Sequence, residues 1–128
     1  MQFGYTILYV DDVASTLDFY GKAFALPTRF LHESGTYGEL ETGATALAFV
    51  SRTMMREMGK TPQAPVLSAP TGEIALVTDD VAAAVSRAVA AGAQPVQEPK
   101  DMPWGQTIAY VGDINGFLVE ICTPVAQA

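Results

Sequence analysis

A chain of 128 residues with 14 acidic and 7 basic side chains carries a net charge of −7, which argues against the cationic footprint that nucleic acid needs. With 49% hydrophobic and 16% charged residues it is long and apolar enough to bury a core, and no apolar run approaches the ~20 residues that span a bilayer. One cysteine excludes an intrachain disulfide framework and any CxxC-type metal site.

The first stretch, MQFGYTILYV, has no basic region, long apolar run or small-residue cleavage site. No secretory leader is therefore expected, and cytoplasmic residence is the default. A β-rich run is followed by Asp11-Asp12-Val13-Ala14, and Val13, Leu17, Tyr20 and Phe24 then recur on one helical face. One Asp of the pair is placed to accept the free N–H groups of the first helical turn. TRFLHES, YGELETG and TALAFVS read as three strands separated by turns. SRTMMREMGK (51–60) holds three of the seven basic residues and three of the five methionines; Met54, Met55 and Met58 fit one side of a short helix, suited to a lid, a dimer contact or an anion-binding flap. TPQAPVLSAPTG (61–72), with three prolines, reads as a linker.

The second half repeats the plan. EIALVTDDVAAAV has the same strand, Asp-Asp-Val-Ala and helix, and the two tetrads start at residues 11 and 79, which are 68 apart. Val81, Val85, Ala88 and Gly92 keep the helical spacing with smaller residues, so this helix is expected to lie closer to its sheet; Gly92 suits a left-handed stop. PVQEP, QTIAYVG and GFLVEIC are the three strands that follow, the last two joined by the turn Asp113-Ile114-Asn115-Gly116. The expected fold is α+β, with two pseudo-symmetric β-α-β-β-β modules forming a curved mixed sheet with a concave cavity. Module 1 runs over about 1–60, the linker about 61–71 and module 2 about 72–128.

These paired modules, and the stretches LYVDDVASTLDFYGKAFAL, ALVTDDVAAAV and PWGQTIAYVGDINGFLVEI, resemble the vicinal oxygen chelate superfamily, which includes glyoxalase I, bleomycin-resistance proteins and extradiol dioxygenases. The resemblance covers essentially the whole chain. It implies a homodimer, a cavity on the concave side of the sheet, and metal ligands at set strand positions. One scaffold serves unrelated chemistries in this family, so the reaction has to be argued from the site.

Residues two apart in a strand share a face, so Glu73, Ala75 and Val77 form one set, and Leu118, Glu120 and Cys122 another. Both glutamates are expected to point away from the helices into the cavity. The resemblance puts them at ligand positions, while Tyr5, 68 residues before Glu73, stands where metal-binding members usually carry histidine. Aligning LAFV with LVEI sets Phe49 opposite Glu120 in the repeat. Tyr5, Tyr9, Phe49, Glu73, Trp104 and Glu120 are thus the expected ligand-binding residues, with Glu73 and Glu120 the catalytic candidates. Glu39 or Glu41 is a further possible carboxylate. His32 reads as a surface or packing residue and Cys122 as inert packing.

Two readings stay open. One is a small-molecule-binding protein of bleomycin-resistance type that sequesters a cationic or aromatic ligand and has no metal or other cofactor. The alternative is a lyase, isomerase or dioxygenase of glyoxalase type in which Glu73 and Glu120 hold a divalent metal. Mn²⁺ or Mg²⁺ suits oxygen ligands, whereas Ni²⁺ or Zn²⁺ normally wants imidazole or thiolate.

Overall fold

A computed structural model describes residues 1–125, so the last three residues of the second module as read above lie outside it. The described chain divides into two compact units, Met1–Ala64 and Pro65–Ala128. Each has one strand, one helix and three strands, in the same order.

In the first unit β1 (Tyr5–Val10) leads into α1 (Val13–Phe24), then β2 (Thr28–Leu31), β3 (Tyr37–Leu40) and β4 (Ala46–Ser51), with a short α2 (Arg52–Glu57) after them. The sheet order is β1-β4-β3-β2. β1 and β4 are parallel and the other pairs antiparallel. In the second unit β5 (Ile74–Val77), α3 (Val81–Ala90), β6 (Gln94–Asp101), β7 (Thr107–Gly112) and β8 (Leu118–Cys122) give the order β5-β8-β7-β6, again with one parallel pair. The α+β class and the repeat are as the sequence indicates. No helix among the described residues is long and apolar enough to cross a membrane.

α1 and α3 each start where the second Asp of the pair caps them. Asp12 Oδ1 accepts from the Ser15 N–H at 2.8 Å, and Asp80 Oδ1 from the Ala83 N–H at 3.0 Å. The Ser15 backbone bond, the largest influence, holds the Asp12 carboxyl below its ordinary pKa. The helix ends differ. α3 closes through Gly92, whose φ of 115° lets Ala93 N–H reach Ala88 O at 3.0 Å. α1 closes through Ala25, a non-glycine residue held at φ 58°.

One face of each sheet lies under its helix. In the first unit Val13, Leu17 and Tyr20 are buried, and the Tyr20 ring packs on Phe49 with centroids 5.1 Å apart. Burying side chains of this size stabilises the fold by about 1.5–3 kcal/mol each. Gly38 on β3 leaves room for that helix, since a β-carbon there would stand 2.6 Å from Leu17 Cδ1. In the second unit Val81 and Ala88 cover Ala109, Val111, Val119 and Ile121, all buried.

The linker is no bare tether. Pro65–Gly72 belongs to the second unit, where the Leu67 side chain occupies the space a β-carbon on Gly112 would need. The hairpin between β7 and β8 forms as expected: Asp113 Oδ1 accepts from Asn115 N–H at 2.8 Å and Phe117 N–H at 2.9 Å. Both β2 and β6 are edge strands with exposed residues throughout, and their pairing is interrupted by register shifts.

Candidate functional site

In each unit the sheet face away from the helix carries the residues with chemistry. In the second unit β5 and β8 pair with Ala75 opposite Glu120 and Val77 opposite Cys122. Val119 and Ile121 are buried on the helix side, so Glu120 and Cys122 take the other side, and Glu73 joins them two residues before Ala75. On β7, Tyr110 stands opposite Glu120. Its hydroxyl donates to Glu120 Oε2 at 3.3 Å.

The two glutamates influence each other's titration in opposite senses. The hydrogen bond to Glu120 is the largest influence on Glu73, an exposed side chain, and with slight desolvation and the neighbouring charge raises its pKa. The same bond is the largest influence on Glu120 and lowers its pKa. As pH rises Glu120 is thus the first of the pair to lose its proton and Glu73 the second. Partial burial, then the two carboxyls, push Tyr110 up to about 12. Burial and the Glu120 carboxylate push the Cys122 thiol up to about 11, so it is no nucleophile at neutral pH.

The matching face of the first unit is built differently. Ile7 pairs with Ala48 and Tyr9 with Val50 on β4, while Glu39 stands opposite Ala48 and Tyr37 opposite Val50 on β3. Tyr5, Tyr9, Tyr37 and Glu39 thus share the open face. Tyr37 donates to Glu39 Oε2 at 2.7 Å, and burial followed by that carboxylate raises the phenol's pKa.

Phe49 is not among them. It has 0% exposure, packs under α1 against Tyr20, and lies on the opposite side of β4 from Tyr5 and Tyr9. The residue that holds the register of Glu120 is Ala48, since Ala48 pairs with Ile7 as Glu120 pairs with Ala75. Aligning the strings LAFV and LVEI slips the repeat by one residue, which moves a side chain to the other face.

The remaining expected residues fall in separate places. Trp104, 55% exposed, sits in the loop after β6 and donates through Nε1 to Gln106 Oε1 at 2.8 Å; Gln106 in turn donates to Thr123 O just past β8. His32 is exposed, with Nδ1 tied to the Ser34 hydroxyl at 2.7 Å in a surface turn. Glu41 pairs with Arg29 at 3.5 Å. Tyr110 and Tyr37 were not singled out from sequence. The hairpin at Asp113–Gly116 carried the signal for Tyr110, because counting outward from that turn sets Tyr110 opposite Glu120.

To a divalent metal the second unit offers two carboxyls and a phenol, oxygen donors only. Among the described residues no three His, Cys, Asp or Glu side chains come together to hold an ion. Glu120 accepts from Tyr110, and the first unit holds Tyr5 and Ala48 at the matching register.

A family profile described as glyoxalase/bleomycin resistance protein/dioxygenase superfamily matches residues 2–121. No curated protein matches the chain. Among solved structures, a glyoxalase-related enzyme from Fulvimarina pelagi superposes with a TM-score of 0.82 at 22% identity, over 97% of this chain and 88% of that one. A glyoxalase/bleomycin resistance protein/dioxygenase family enzyme from Burkholderia phytofirmans PsJN gives 0.78 at 19%, over 96% and 98%. TioX from Micromonospora sp. ML1 gives 0.72 at 22%, over 96% and 98%. The shared β-α-β-β-β fold and the nearly full-length profile match agree, and the chain belongs to the glyoxalase/bleomycin resistance protein/dioxygenase superfamily.

Proposed function

We propose that the chain binds a small organic cation, an amine or guanidinium, on the open face of its second unit, and acts by sequestering it. The observation that carries this reading is the placing of Glu73, just before β5, on the face of Glu120 on the adjacent strand β8, with the Tyr110 hydroxyl bonded to the second carboxyl. A cation docked there displaces the Glu73 proton, leaving two carboxylates to face one positive group. The Tyr110 ring supplies a flat surface beside it. The net charge of −7 adds a long-range attraction for cations.

The sign of the pH dependence follows from Glu73. Its pKa is raised, so below that value the pair holds a proton that a cation must displace. Affinity is expected to rise as pH climbs through the raised Glu73 value, with proton uptake by buffer on binding. Calorimetric titration of a panel of cationic antibiotics and simple aryl amines, in buffers of different ionisation heat, checks this. Glu120→Gln is expected to weaken binding about tenfold or more, as for the loss of a charged hydrogen-bond partner. Glu73→Gln is expected to flatten the pH dependence. A panel with no binder, or a stoichiometric bound metal lost in Glu120→Gln, would sink this reading and point to metal-dependent turnover.

A further inference from the structure

We infer that the ligand of the second unit is a zwitterion, an amino carboxylate whose two charges stand several bonds apart, and that Lys100 of β6 selects its anionic end. This substrate class rests on the cation reading above and adds a residue to it. The pairing of the strands puts Lys100 on the required face. Glu120 on β8 stands opposite Tyr110 on β7, and Tyr110 opposite Gln97 on β6. Two residues further along, Cys122 stands opposite Ile108, and Ile108 opposite Lys100. Paired residues project to one side of a sheet, and Tyr110 and Ile108, two apart on one strand, share theirs. Lys100 therefore rises from the same open face as Glu120.

An independent contact fixes the same direction. Asp101 pairs with Thr107, whose hydroxyl donates to Asp101 Oδ1 at 2.7 Å. Thr107 has the parity of the buried Ala109 and Val111, so this bond lies on the helix side and the adjacent Lys100 points the other way. The register shift between Gln97 and Lys100 is what brings this about. With regular pairing from Gln97 onward, Pro99 would stand opposite Ile108 and Lys100 would turn to the helix side. Lys100 is exposed and enters none of the ion pairs among the described residues. The open face thus runs from two carboxyls, past Tyr110 and Ile108 on β7, to one free ammonium. Two strand spacings and a two-residue step put the Glu120 and Lys100 α-carbons about 12 Å apart on a flat sheet. An α-amino acid is too short to reach both ends. A ring laid on Tyr110, with its amine at Glu120, carries a carboxylate on its far side towards Lys100. The net charge of −7 repels anions at long range, so this one local ammonium decides whether a carboxylate is accepted.

The probes are para-(aminomethyl)benzoate, its methyl ester and benzylamine, compared by calorimetric titration at low ionic strength. The zwitterion is expected to bind about fivefold more tightly than the ester or benzylamine, the scale of one exposed ion pair. Lys100→Gln is expected to bring the zwitterion down to the level of the ester. Lys100→Glu is expected to prefer para-xylylenediamine to benzylamine by a similar factor, a preference the parent lacks. Lys22→Gln, at an exposed lysine on α1 of the other unit, makes the same change in net charge as Lys100→Gln and should keep the parent's preference for the zwitterion. Circular dichroism verifies that each variant is folded. Equal affinity for zwitterion and ester, or a preference that survives in Lys100→Gln, would overturn the inference and leave the cation reading standing. No binding by any of the three probes would sink the cation reading, and the zwitterion with it.

Discussion

On β4 of the first unit the residue beside Ile7 is Ala48, and on β8 of the second the residue beside Ala75 is Glu120. The neighbouring strand reverses the assignment, with Glu39 opposite Ala48 and Tyr110 opposite Glu120. Two copies of one topology thus carry a phenol–carboxylate bond in both units but on different strands, and only the second adds another carboxyl, Glu73. The helix sides show no such exchange of chemistry. Tyr20 over Phe49 in one unit and Ala88 over the β7–β8 pair in the other are both apolar and buried. The covered face sets whether the module folds, and the open face is where two modules of one chain are free to differ.

The largest expected effects separate these faces. Phe49→Ala should cost about 3–5 kcal/mol and Ile121→Ala about 2–5 kcal/mol, because each leaves a cavity under a helix. Tyr5→Ala and Val77→Ala, at residues 59% and 64% exposed, should stay within about 0.5 kcal/mol. Urea unfolding of the four variants measures this, and equal losses on the two faces would erase the distinction.

A smaller effect compares the glycines that admit a neighbour. Gly38→Ala meets both Leu17 Cδ1 and the Phe30 carbonyl oxygen, the latter at 3.2 Å, under a buried helix side chain. It should cost about 1–3 kcal/mol. Gly112→Ala meets only Leu67, a half-buried side chain with room to swing, and should cost less than about 1 kcal/mol. Thermal melts of the two variants give the order directly.

The smallest effect exchanges the helix ends. Ala25 holds a left-handed conformation that costs an L-residue about 1–2 kcal/mol, partly offset by the lower unfolded-state entropy of alanine. Ala25→Gly should therefore gain about 0.5 kcal/mol, and Gly92→Ala should lose about 1 kcal/mol. Opposite shifts in denaturation midpoint are the expected result.

Much of this arrangement was legible in the sequence, for local reasons. The two Asp-Asp-Val-Ala tetrads announce both helices because capping is decided within four residues. The faces of Glu73 and Glu120 were readable because β5 and β8 place charged residues among apolar ones, which fixes the parity. β4 offers no such cue. Residues 46–50 are buried on both faces, so apolar side chains follow one another without alternation, and nothing in the string shows that Phe49 faces α1. The repeat spacing also drifts, from 68 residues between Tyr5 and Glu73 to 72 between Ala48 and Glu120, so no single offset maps the whole module. The bond between Tyr37 and Glu39, two residues apart on one strand, depends on rotamers that residue types do not reveal.

The broken register of two of the four edge strands, β2 and β6, bears on how the chain avoids its own copies while folding. β6 contains Pro95 and Pro99, which have no N–H to offer a foreign strand, along with Glu98 and Lys100, and its pairing shifts twice. It is a poor template for intermolecular β-structure. β2 has no proline within its four residues and shows Phe30 and Leu31 at 46% and 42% exposure. Of these two edges β2 is the less guarded, and a lysine in place of Leu31 is the conservative way to protect it.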